Sequence, residues 1–175
     1  MKFIALFLLF INLPHVVAAK EILYAANGWE VMFLKAEGDK GASCSVNKNG
    51  TDGNSAVDLV FKNGKHGQTG SLIIQTGSFK LAEELIMDGY VFLKFDDQNM
   101  DPIPATLVTQ FAMVSFNNMS QEMQMAVQTG LIKGNKLQVV GDSNNGNSYT
   151  LSYDLKGSTQ AFAEVVKCRD KYLAN

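Results

Sequence analysis

The side chains best suited to chemistry are few in this 175-residue chain. Cys44 and Cys168 are the two cysteines, His66 is the one histidine beyond position 15, and Arg169 is the one arginine. A zinc enzyme draws on several His, Cys or carboxylate ligands. A Ser-His-Asp site would have to use His66, which sits in the polar turn Gly64-Lys65-His66-Gly67-Gln68. Nearby Ser71 lacks the Gly-x-Ser-x-Gly setting of a nucleophile elbow. A bidentate clamp for phosphate or carboxylate would have to use Arg169. These shortages remove the commonest catalytic tools and leave carboxylate chemistry. The adjacent pair Glu83 and Glu84 diverges on any regular element, so it makes no acid/base couple by itself.

Two further patterns suggest metals. Met119, Met123 and Met125, with Met113 nearby, offer soft thioethers of the kind that suit Cu(I). On a helix Met119 and Met123 share a face and Met125 points away, so core filling by flexible side chains is the simpler expectation. Asp97 to Asp101 imitates the start of a calcium loop. Pro102 stands where that loop needs glycine, and Val108 where it needs a bidentate glutamate. Asp96, Asp97 and Asp101 would form at most a weak cation site. No metal or cofactor is expected. Asn49-Gly50-Thr51 and Asn118-Met119-Ser120 match the glycosylation sequon, which matters only in a eukaryotic host.

The role of the cysteines depends on compartment, and the first residues address it. Lys2 supplies a basic start, Phe3 to Leu13 is almost wholly apolar, Pro14 breaks the run, and Val17-Ala18-Ala19 fits a peptidase site. This predicts a signal peptide over residues 1–19, cut before Lys20. A membrane span needs roughly 20 apolar residues, and this run is about half that length. The remaining residues, 20–175, read as one domain with no second long apolar run, hence no transmembrane segment. In an oxidising compartment, two thiols in one small domain most often pair, so Cys44 and Cys168 are expected to form a disulfide. The whole chain carries 15 basic and 17 acidic side chains, a net charge of −2, without a basic cluster. A nucleic-acid partner is therefore not expected.

The elements that must position these residues are mostly strands. Turn signals rich in Gly and Asn recur at short intervals, from Glu37-Gly38-Asp39 to Asn144-Asn145-Gly146-Asn147. Between them lie Trp29 to Leu34, Ser43 to Val46, Ala56 to Phe61, Ser71 to Gln75, Tyr90 to Phe95, Lys136 to Val140 and Tyr149 to Leu155. Several alternate with a period of two, as half-buried strands do. Thr109 to Phe116 is either a strand or an irregular link. Ser120 to Thr129 reads as a short helix stopped by Gly130. Thr159 to Leu173 reads as a longer helix capped by Ser158, with Cys168 on its apolar side. The predicted fold is mainly β: an antiparallel β-sandwich or barrel-like domain with a C-terminal α-helix and one short helix near 120–129.

Gly28-Trp29 opening a strand after a signal peptide, Cys44 downstream, and Tyr149 to Leu155 running into Lys156-Gly157-Ser158 and a terminal helix with Ala161 and Ala163 carry a resemblance. The chain resembles the invasion-associated locus B family of exported bacterial proteins. The resemblance implies a compact sandwich or barrel-like fold with a terminal helix. It further implies a non-enzymatic periplasmic or secreted protein linked with entry into host cells. It supplies no catalytic residue to carry over. The expected function is binding to an unknown protein, envelope component or host surface, with Trp29, Tyr90, Phe92, Tyr149 and Tyr153 as candidates for an exposed patch, although core packing is the expectation for most of them. The rival readings are a carrier of lipid or metal inside a β-barrel cavity, and a carboxylate-based hydrolase.

Overall fold

A computed structural model describes residues 20–36, 41–64, 67–86, 88–108, 111–142 and 148–174. The expected signal peptide, the turns at 37–39 and 144–147, and His66 lie outside the described residues.

Seven strands form one antiparallel sheet: β1 (Lys20–Ala26), β2 (Trp29–Leu34), β3 (Ser43–Asn49), β4 (Ala56–Gly64), β5 (Gly67–Gln75), β9 (Thr106–Val108) and β10 (Phe111–Ser115). They lie in the order β1-β2-β3-β4-β5-β10-β9. A smaller five-stranded sheet contains β6 (Tyr90–Phe95), β7 (Gln98–Asn99), β8 (Ile103–Pro104), β11 (Lys136–Asp142) and β12 (Ser148–Asp154). Its main path is β12-β11-β6-β7, with β8 also paired to β6. The two sheets do not close into a barrel; the architecture is a sandwich with helices. A bond from Thr51 N to Ser152 O, 2.8 Å, joins the β3–β4 turn to the smaller sheet.

Alternation explains the strands. In β6, Val91, Leu93 and Phe95 are buried while Tyr90 is exposed. In β12, Leu151 and Tyr153 point inward and continue to buried Leu155. Thr109 to Phe116 resolves into β10 over Phe111–Ser115, paired with β5 and β9. Elements beyond the sequence reading include β1, the short strands β7, β8 and β9, and the short helix α1 (Phe79–Leu85), whose cap Ser78 accepts from Leu81 N.

The later helices lie along the core. α2 spans Gln121–Lys133 and α3 spans Ser158–Tyr172. Ser120 caps α2 as expected, accepting from Met123 N at 3.2 Å. Gly130 does not stop α2. A Cβ there would come within 2.5 Å of the Phe95 ring, so glycine serves as the close-approach point between helix and β6. Ser158 is not the cap of α3. It is the first helical residue, and Gly157, in the left-handed region at φ 86°, holds the cap position. The Ser158 hydroxyl instead donates to Ile132 O at 3.0 Å, joining α3 to the end of α2.

Cys44 on β3 and Cys168 on α3 are joined by a disulfide, with Cα atoms 6.0 Å apart. Trp29, Val46, Val57, Leu59, Leu72, Leu131 and Phe162 meet between the large sheet and the helices so closely that no water molecule fits between them. The interior at this point is filled.

Candidate functional site

With that part of the interior filled, space for a ligand lies along the helices. The first groove runs between α3, α2 and the end of β4 and encloses about 440 Å³. Its α3 wall is formed by Thr159, Phe162, Ala163, Val166 and Arg169, which share one side of the helix, with Val165 behind it. Gln128 and Ile132 line it from α2, and Leu59 and Phe61 from the sheet. Two hydroxyls, Ser158 Oγ and Thr159 Oγ1, donate to Ile132 O at 3.0 Å each and fix the spacing of the two helices. Among the described residues, Arg169 is the only charged one lining this groove. Its Nε and Nη2 donate to Asp170 Oδ1 at 3.0 and 2.8 Å.

The second groove, about 620 Å³, lies on the other side of α2 against the β6–β7 turn. Its lining is mixed: Phe95, Asn99, Met100, Asp101, Ser120, Glu122, Met123 and Met125 among others. The structure does not unite the three methionines that the sequence suggested. Met119 ends the short 3-10 turn before α2 and is buried in the core. Met123 and the 56% exposed Met125 reach the groove, where Met100 joins them.

A third arrangement is polar and structural. Trp29 Nε1 donates to Lys156 O at 3.0 Å, and its ring meets Phe162 edge-on at 6.0 Å. Lys48 Nζ lies 5.5 Å from the Trp29 ring centroid and donates to Asn27 O at 2.6 Å. Burial pushes the Lys48 pKa down, and the nearby Asp154 charge opposes that shift. Gly28-Trp29 and Lys156-Gly157-Ser158, which lie far apart in the chain, therefore meet at one corner.

The remaining candidates are dispersed. Asp96 accepts from Asn135 N and Lys136 N, each at 3.0 Å, and so fixes the α2–β11 connection; the sequence reading treated it only as a cation ligand. Asp97 and Asp101 are exposed. Glu83 is exposed, and Glu84 lies 4.0 Å from Lys80 on α1. Among the described residues, no three His, Cys, Asp or Glu side chains are grouped to hold a metal. Of the aromatic patch, Trp29 and Tyr153 are core residues, Phe92 and Tyr149 are half-buried, and Tyr90 is exposed.

Asp58 and Tyr153 are the buried titratable groups beyond this corner. Asp58 accepts from Asn47 Nδ2 at 2.6 Å and from Gln75 Nε2. Burial raises its pKa, while these amide donors and Lys20 oppose the rise. The Tyr153 hydroxyl lies by Ser55 but makes no hydrogen bond of acceptable geometry, and burial is the main cause of its raised pKa. Ser55 Oγ instead donates to Asp52 Oδ1 at 2.8 Å.

Fold and site together define a disulfide-linked β-sandwich with ligand-sized grooves beside its helices, among them a further one of about 600 Å³ where the α2–β11 and β12–α3 connections meet. Comparison of the chain with protein-family models, curated proteins and solved structures gave no match.

Proposed function

We propose that this is a non-enzymatic binding protein that works outside the cytoplasm, in the periplasm or as a secreted protein. The resemblance to the invasion-associated locus B family supports this reading, as do the signal-like first residues and the Cys44–Cys168 disulfide. The observation that carries it is the filled space between the large sheet and the helices, with open grooves on either side of α2. Ligand contact then falls to the surface, where envelope or host-surface components can reach it. The sheets do not close, so a carrier built on a barrel cavity is set aside.

The test immobilises the purified, disulfide-linked protein and challenges it with fractionated envelope and host-surface material. Saturable retention of a defined component, with no turnover of ester, peptide or glycoside substrates, is expected. Turnover without retention would replace this reading with an enzymatic one.

A further inference from the structure

We propose that the α2–α3 groove is a binding site for a free aliphatic carboxylate of medium chain length. Its hydrocarbon chain would lie along α3 and its head group would rest on Arg169. This rests on the reading that the protein acts by binding, and it names the class of ligand.

Shape argues first. From Thr159 to Arg169 the α3 stripe advances about 15 Å at the helical rise of about 1.5 Å per residue. The groove follows that stripe, and its 440 Å³ falls within the usual range for small-molecule sites, about 300–1,000 Å³. A volume of this size suits one flexible chain lying along the stripe.

Chemistry argues second. Phe61, Ile132, Phe162, Ala163 and Val166 give the slot apolar walls. Arg169 is the only charged lining residue among those described, and the only arginine of the chain. The groove thus has an anion-complementary element against a hydrocarbon wall. Two of the five guanidinium N–H donors go to Asp170 Oδ1. Asp170 is 61% exposed and adjacent in sequence, and exposed pairs of this kind hold weakly. A ligand carboxylate can share or replace that contact, and the planar fork of arginine suits it. A membrane surface fits less well as the occupant, because among the described residues lining the groove Val166 is the one exposed large hydrophobic side chain.

The experiment uses the single tryptophan as a reporter. Trp29 packs on Phe162, which lines the groove, so a dansyl-labelled undecanoic acid in the slot should receive energy from Trp29. The expected result is saturable transfer at micromolar probe, competed by unlabelled dodecanoate. Arg169→Gln should weaken the acid about tenfold, as loss of a charged hydrogen bond implies. It should leave the methyl ester of the probe unchanged. Ala163→Phe, at an exposed helix position, should fill the slot and abolish both signals while the far-ultraviolet circular dichroism stays native.

Absence of saturable transfer, or unchanged acid binding by both variants, would overturn the proposal. Ester binding as tight as the acid would overturn the head-group assignment. Co-sedimentation with anionic phosphatidylglycerol vesicles without binding of the monomeric probe would point to a membrane surface and would also overturn it. Failure here with retained envelope binding removes only this inference, whereas failure of both removes the binding reading as well.

Discussion

The indole N–H of Trp29 donates to the carbonyl of Lys156, 127 residues away, at 3.0 Å. The bond ties the start of β2 to the turn that launches α3. Beside it, Gly157 adopts φ 86°, and a Cβ there would lie 2.8 Å from Asn27 Nδ2. Trp29→Phe keeps an aromatic ring against Phe162 but leaves the Lys156 carbonyl without this donor. Urea denaturation should show a loss of about 1–3 kcal/mol, the range for a lost buried hydrogen bond plus reduced packing. Unchanged stability would mean that the carbonyl is satisfied otherwise.

The disulfide carries a second prediction. Cys44 and Cys168 enclose a long segment, and a bond across 124 residues restricts the unfolded chain strongly. The chain-entropy model puts this at about 4–5 kcal/mol, with measured values for native disulfides at about 2–5 kcal/mol. The double substitution Cys44→Ser, Cys168→Ser should lower the urea midpoint accordingly. The protected wild-type protein should gain the mass of two alkyl groups only after reduction.

Gly130 predicts a sign. In an open helix, Gly→Ala stabilises by about 1 kcal/mol. Here the new Cβ would stand 2.5, 2.6 and 2.8 Å from three Phe95 ring carbons. Overpacking of that kind costs about 1–3 kcal/mol. Gly130→Ala should therefore destabilise, and adding Phe95→Leu should recover part of the loss. A melting temperature raised by Gly130→Ala alone would contradict the close packing of α2 on β6.

Asp58 predicts a pH dependence. Its folded pKa is raised by burial above the ordinary carboxyl value of 3.8. Between 3.8 and that raised value the folded state holds more protons than the unfolded state. Stability contributed by this group therefore falls as pH rises through that window, and the cost persists above it. Asp58→Asn should flatten this part of the stability–pH curve. An identical curve for variant and wild type would show that another group sets it.

Much of the sandwich is legible because its strands alternate. Trp29 to Leu34 and Tyr90 to Phe95 match β2 and β6 in extent, and the alternation of Leu151, Tyr153 and Leu155 identifies β12. β1 is not legible. Its pairing shifts between Ile22 and Tyr24, and that irregularity breaks the period of two. The end of α2 is misread at Gly130, because the reason for that glycine lies on Phe95 of another strand. Ser158 looks like a cap by type, yet its hydroxyl is engaged by Ile132 O. The groove is the least legible feature. Phe61, Ile132 and Arg169 belong to three distant elements, so no local spacing announces that they meet.

The central claim is that ligands are met in grooves beside α2, outside a filled core. Hydrogen–deuterium exchange with and without the retained envelope component tests it most directly. The account predicts slowed exchange in Gln121–Lys133, Ser158–Tyr172 or both, with the inner strands unchanged. Protection confined to the inner strands, or substrate turnover with no protection of either helix, would contradict it.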